Sequence, residues 1–162
     1  ISRIENNQYE AIEHINFHEI VDDLHEDLQD RIEDREIKFL NKMQHHYVFT
    51  GNKTLIHILI YNLVTNAIKY NKPQGSITIT DGFNQPNYFI SITDSGVGMN
   101  DSQIEQIFNR FARISSDQDG QGLGLAIAES IASFHHIEIK VTSVVNEGTT
   151  FTLLFPETGK HN

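Results

Sequence analysis

The chain has 162 residues, with 22 acidic side chains against 12 basic ones, a formal net charge of -10 and no cysteine. Its length suits one domain that buries about 70% of its unfolded surface; the acidic balance, without any Lys/Arg run, argues against nucleic acid and anionic membrane as partners. Absent cysteine excludes a disulfide framework and thiolate metal sites, and no apolar run reaches the roughly 18 residues of a membrane span.

No signal peptide is visible, so a soluble, cytoplasmic domain is expected. The chain opens at Ile1 without a methionine and is expected to be a piece of a longer protein. Ile1 to about Ile15 is polar and loosely helical in pattern. From Phe17 to Ile37, Phe17, Ile20, Val21, Leu24, Leu28 and Ile32 recur at three- and four-residue steps among acids, which predicts one long amphipathic helix. Ile37 to Leu40 and Tyr47 to Phe49 read as short strands. Leu55 to Asn71 (LIHILIYNLVTNAIKYN) is a strongly apolar helix, ended by the breaker chemistry of Asn71 to Gly75. From Gly75 the period changes to two: Ser76 to Thr80 and Tyr88 to Thr93 predict a hairpin around a turn at Gly82 to Asn87. Asp94 to Met99 reads as a loop. A short helix follows, with Ile104, Ile107, Phe108 and Phe111 on its apolar face, then a mobile segment from Ala112 to Gln121. Gly122 to Phe134 predicts a helix, and Ile137 to Val145 and Thr149 to Phe155 predict two strands.

Three places carry chemistry. On the central helix Asn62, Thr65, Asn66 and Lys69 fall on one line, at about 3.6 residues per turn, among apolar neighbours. Asparagine is a poor helix former and expensive to bury alone. Either these residues form a satisfied core network, or they face a ligand, with amide oxygens for a hard cation such as Mg²⁺ and Lys69 for phosphate. In Gly120-Gln121-Gly122-Leu123-Gly124-Leu125 three glycines lead into an apolar helix, which leaves backbone N–H groups for an anion or else serves close packing. It is neither the Walker phosphate loop nor the dinucleotide fingerprint, whose third glycine position holds Leu125. Asp94 ends a strand at a Gly-x-Gly loop; taken alone, Asp-Ser-Gly reads as a turn, but its carboxylate could accept from a base amino group while the glycines admit a flat ring.

The order of these elements changes their meaning. Asn62-x-x-x-Asn66-Ala67-x-Lys69-Tyr70, Asp94-x-Gly96-x-Gly98-Met99, Phe108-x-Arg110-Phe111 and Gly120-x-Gly122-Leu123-Gly124-Leu125 resemble the N, G1, F and G2 boxes of sensor histidine kinases, in the GHKL ATPase superfamily. Gly148-Thr149-Thr150-Phe151, closing at Pro156, resembles the last strand of that family's catalytic domain. The match runs from about Phe17 to Pro156.

The resemblance implies a two-layer α/β sandwich of the Bergerat type: a mixed, mostly antiparallel sheet with helices on one face, holding ATP under a lid. It implies that Asn66 coordinates Mg²⁺, with Asn62 and Lys69 near the phosphates and Tyr70 by the nucleotide. Asp94 would bind the adenine amino group, Gly96 and Gly98 would shape the base pocket beside Met99, and Thr149 would join through water. Arg110 and Arg113 would lie at the base of the lid. Gly120, Gly122, Leu123, Gly124 and Leu125 would form the phosphate end, with Gly122 and Gly124 as its cradle. Asn62, Asn66, Lys69 and Arg110 are then the catalytic set. Mobility of Ala112 to Gln121 would gate nucleotide exchange.

The phosphoacceptor box is the departure. Its superficial candidate, His18-Glu19-Ile20-Val21-Asp22-Asp23, lacks the basic residue and the proline, and His18 reads as an ordinary exposed helix residue. Ile1 to Asn6 resembles the end of the family's dimerisation domain. The expected division is therefore 1–15 as the tail of that domain and linker, 16–158 as the catalytic and ATP-binding domain, and 159–162 as a C-terminal tail. The acceptor histidine would precede Ile1. A homodimeric parent, membrane-anchored or not, a response regulator as partner and a monomeric fragment are implied. Two other readings are a different superfamily enzyme, such as an anti-sigma serine kinase or chaperone-like ATPase, and a non-enzymatic nucleotide sensor.

Overall fold

The computed structural model describes residues 13–107 and 121–157, the stretch 121–124 by its backbone alone. In chain order the elements are β1 (Glu13–Asn16), α1 (Phe17–Asp27), α2 (Gln29–Asp34), β2 (Lys38–Asn41), β3 (Val48–Gly51) and α3 (Lys53–Lys69). They continue with β4 (Ser76–Asn84), β5 (Asn87–Asp94), α4 (Asp101–Ile107), α5 (Gln121–Phe134), β6 (Glu138–Val144) and β7 (Gly148–Leu154).

The main sheet has the order β2-β4-β5-β7-β6. Only β2 and β4 run parallel; the other neighbours are antiparallel. This is the mixed, mostly antiparallel sheet the sequence implied. Its alternation decides which face is covered. Ile77, Ile79, Ile90, Ile92, Phe151 and Leu153 are buried on one side, where α3 and α5 pack against each other and onto β5 and β6. On the other side Thr93 pairs its hydroxyl with Thr150 at 2.9 Å and Ser91 with Thr152 at 3.0 Å.

The amphipathic stretch after Asn16 is two helices. Asn16 caps α1 by accepting from His18 N–H at 2.9 Å. The backbone then breaks at Leu28 and resumes as α2, and because Leu28 and Ile32 are both buried, the apolar stripe runs across the break. Glu36 adopts a left-handed φ of 56°, and Ile37 N–H reaches back to the Ile32 carbonyl at 2.9 Å, which ends α2 before the expected limit.

Glu13 to Asn16 is a strand, where a loose helical pattern was expected. It pairs antiparallel with β3, Ile15 opposite Phe49, and both residues are buried. A partner more than thirty residues away makes this strand, so the local pattern does not reveal it. At the same corner Tyr47 stacks on Tyr88 with ring centroids 4.1 Å apart, and Phe17 meets Phe155 at 4.9 Å. The β4–β5 hairpin is also longer than expected. Its strands continue to Asn84 and from Asn87, leaving a two-residue turn, Gln85-Pro86. Gly82 lies opposite Phe89, whose ring occupies the space a side chain at Gly82 would take.

The helix α3 begins two residues before the expected Leu55, because Asn52 caps it by accepting from Leu55 N–H at 3.0 Å. Eight of its residues, from Leu55 to Ile68, are buried apolar side chains. At its other end the fold supplies the cap. Arg35 donates to the Ile68 carbonyl at 2.9 Å, to the Lys69 carbonyl at 3.1 Å and to the Asn71 carbonyl. A fixed positive charge thus meets the negative end of the helix dipole.

Candidate functional site

Where α3 ends, β5 ends beside it. On α3, Asn62, Thr65 and Asn66 are half-buried and Lys69 is exposed, so the polar line lies on the open face of the helix, which it shares with exposed Ile58 and half-buried Tyr61. The Thr65 hydroxyl donates to the Asn62 carbonyl at 3.1 Å, a bond within the helix. Asn66 makes no side-chain hydrogen bond among the described residues. Its amide is therefore not part of a core network there. Lys69 Nζ lies 5.7 Å from the centre of the Tyr70 ring.

Asp94 is 8% exposed at the last position of β5. Its Oδ1 accepts from Gly96 N–H at 2.9 Å and from Thr149 N–H at 3.2 Å. Oδ2 carries no hydrogen bond among the described residues. The residue is at once the turn that its tripeptide suggested and a carboxylate with a free acceptor. Burial pushes its pKa above the ordinary carboxylate value, against the pull of those two backbone bonds.

The G1 glycines have a reason of their own within the fold. A Cβ at Gly96 would stand 2.1 Å from the Tyr70 carbonyl oxygen, and one at Gly98, whose φ is 69°, 2.1 Å from that of Val144. They let the loop lie on the protein's own backbone. Val97 N–H donates to the Tyr70 carbonyl at 3.1 Å and Asn146 N–H to the Val97 carbonyl at 2.7 Å, so the loop ties the end of α3 to the β6–β7 turn. Met99 is held through its N–H, which donates to Ser143 Oγ at 2.7 Å.

Thr149, buried at the start of β7, sits directly across from Asp94. The structure thus brings together Tyr70, Asp94, Gly96, Gly98, Met99 and Thr149, with Asn62, Asn66 and Lys69 along the helix leading to them. Gly122, Leu123 and Gly124 lie in the first turn of α5, a turn whose backbone N–H groups have no partner within the helix. Leu125 is buried. Gln121 begins α5, although the mobile segment was expected to run through it. Phe108, Arg110, Phe111, Arg113, Gly120 and residues 112–120 of the expected lid lie outside the described residues.

Three contributors escaped sequence reasoning. Asn71, read there only as a helix breaker, is buried; its Nδ2 donates to the Ser76 carbonyl at 3.0 Å and its Oδ1 accepts from Ser95 Oγ at 3.2 Å. Arg35 and Ser143 carried no local signal. His18 needs a correction: it is half-buried rather than exposed, and its Nε2 hydrogen-bonds to the His45 carbonyl at 2.7 Å. Among the described residues no helix is long and apolar enough to cross a membrane. No group of three or more His, Cys, Asp or Glu side chains there could hold a metal ion.

The family model described as histidine kinase-, DNA gyrase B-, and HSP90-like ATPase matches residues 51–159. The heme sensor protein HssS of Staphylococcus saprophyticus is 43% identical over 110 residues, which is 68% of this chain and 24% of that protein. The sensor histidine kinase RppB of Synechocystis is 36% identical over 110 residues, 65% of this chain and 24% of its own length. The chain therefore spans about a quarter of the length of these curated relatives. Among solved structures, the mycobacterial sensor histidine kinase MprB superposes with a TM-score of 0.78 at 24% identity, covering 90% of this chain and 97% of that one.

Proposed function

The chain belongs to the family of histidine kinase-, DNA gyrase B- and HSP90-like ATPases, and from that membership we propose that residues 16–158 are the ATP-binding catalytic domain of a sensor histidine kinase. The observation that carries this reading is the buried Asp94 carboxylate, pinned through Oδ1 and with no hydrogen bond on Oδ2 among the described residues, beside the end of a helix whose Asn66 amide likewise has no side-chain hydrogen bond there. Asp94 Oδ2 would accept from an adenine amino group. The wall beside it is Tyr70 and the Gly96–Met99 loop, with residues 1–15 as the tail of a dimerisation domain and the linker from it, the last three of which, Glu13 to Ile15, pair with β3.

The donor set suits a hard cation. The Asn66 amide oxygen would hold Mg²⁺, with Asn62 beside it, the remaining positions going to water and phosphate oxygens. Bound there, the ion supplies charge neutralisation on the phosphates. Lys69, Arg110 and Arg113 would add positive charge, and the N–H groups at Gly122 and Gly124 would cradle the anion. The chain's share in moving the γ-phosphoryl group to a histidine Nε2 on a dimerisation domain outside residues 1–162 is orientation and electrostatic support, since the loose transition state asks for little covalent help. A response regulator is the downstream partner. His18 is no acceptor, because its Nε2 is engaged with a backbone carbonyl.

Calorimetric titration with ATP, with and without Mg²⁺, tests this reading. Mg²⁺-dependent binding is expected, with no acid-labile phosphohistidine until a dimerisation domain is supplied in trans. A protein that binds neither ATP nor ADP, or that labels His18, refutes it.

A further inference from the structure

Asp94, Thr149 and Ser143 stand in one row across β5, β7 and β6, Asp94 opposite Thr149 and Thr149 opposite Ser143, so their side chains share the helix-covered face. Ser143 Oγ has three partners. It donates its one proton to the Gly148 carbonyl at 2.9 Å, accepts from Met99 N–H at 2.7 Å, and lies 2.8 Å from Thr149 Oγ1. A serine hydroxyl has one hydrogen and two lone pairs. The carbonyl can only accept and the amide can only donate, so the serine proton is used and the Thr149 hydroxyl must be the donor to Ser143. Thr149 then has only lone pairs left for the side facing Asp94. Together with Oδ2 of Asp94, this row of three side chains offers acceptors and no donor to the site.

We propose that Ser143 is a positioning residue for base specificity: by consuming the Thr149 proton it makes Thr149 an obligate acceptor, so that the site demands a base edge, or a bridging water, with hydrogens for both oxygens. The inference rests on the nucleotide-binding reading above. A 6-amino purine has two hydrogens at that edge. A 6-oxo purine presents an oxygen, which a rotated Thr149 hydroxyl could serve but a locked one cannot.

ADP and IDP are suitable probes, since their bases differ at the 6-position and at N1–H and the phosphates are identical. Affinity for each is measured by calorimetry in the wild type, Ser143→Ala, Thr149→Val and the double variant. The wild type should prefer ADP, and Ser143→Ala should lower the ADP-to-IDP ratio by about fivefold, the range of one hydrogen bond. In the Thr149→Val background, which has no hydroxyl to release, Ser143→Ala should leave the ratio unchanged. A merely structural serine would weaken both nucleotides alike. Ser143→Cys keeps the shape with a weaker donor and acceptor; it should lower the ratio too, and carries the test if the alanine variant does not fold. An unchanged ratio in Ser143→Ala or Ser143→Cys, equal wild-type affinities, or a shift that persists without Thr149 Oγ1 overturns the proposal. A wild type that binds neither nucleotide instead refutes nucleotide binding itself.

Discussion

Replacing Asp94 by asparagine separates its two roles, because they fall on different oxygens. Oδ1 accepts both backbone N–H bonds, from Gly96 and Thr149. An amide oxygen can take over that position, and those two bonds orient the side chain so that Nδ2 replaces Oδ2. A donor then faces the base amino group where an acceptor stood. Losing one charge-assisted bond and leaving donors opposed costs about 1–3 kcal/mol, so ADP affinity should fall about tenfold to a hundredfold while the fold is kept. Preference should shift toward a 6-oxo base. Asp94→Ala behaves differently: both buried N–H groups lose their acceptor, at about 1–3 kcal/mol each, and thermal stability should drop sharply. Calorimetry with ADP and IDP, beside thermal unfolding of both variants, measures the two effects. If Asp94→Asn binds ADP as well as the wild type does, the carboxylate is only a turn residue and the base lies elsewhere. The raised pKa adds a pH signature. As pH falls toward the elevated Asp94 value the acceptor is protonated, so ADP affinity should weaken on acidification in the wild type and less in Asp94→Asn.

Asn66→Ala removes an amide with no side-chain hydrogen bond among the described residues and installs a better helix former, so stability in denaturant should hold or rise by roughly 0.5 kcal/mol. Mg²⁺-dependent ATP affinity should fall; unchanged Mg²⁺ dependence would remove Asn66 from the metal's ligands. Arg35→Met strips the guanidinium from three carbonyls at the end of α3 and should lower urea stability by about 2 kcal/mol, with Arg35→Lys recovering only part because a single ammonium cannot span the fork. His135 Nε2 accepts from Asn52 N–H at 3.0 Å and Nδ1 is bonded to the Ile131 carbonyl at 2.9 Å, while burial pushes its pKa below the ordinary histidine value of 6.5. Below that value the unfolded chain takes up a proton that the folded one resists, so stability should fall as pH drops from about 6.5 toward the lowered folded pKa. The unfolding temperature of His135→Asn should show less of this acid dependence than the wild type.

What the sequence by itself determined is whatever neighbours along the chain can express. The α3 residues encode an amphipathic helix with one polar line, because the 3.6 period sorts Asn62, Asn66 and Lys69 from Leu59, Leu63 and Ile68 without help. The alternation of Ser76 to Thr80 and Tyr88 to Thr93 likewise assigns one face of the sheet to the core, and the order of the glycine and asparagine boxes carried the family. The tertiary structure decided what depends on contacts between distant residues. Whether Glu13 to Asn16 is strand or helix turned on β3. The end of α3 is held by Arg35, 33 to 36 positions earlier, whose own surroundings give no hint of that role. Gly96 and Gly98 are legible as loop glycines, but that they make room for the Tyr70 and Val144 carbonyls emerges only when three segments meet. The direction of the Thr149 hydroxyl is the extreme case: it follows from counting one proton among Ser143, Gly148 and Met99, which strand pairing and a loop from the far side of the site bring within hydrogen-bond reach. Periodicity and propensity act over a turn or two of chain, while a hydroxyl's donor or acceptor role is set by whatever group the fold places opposite it.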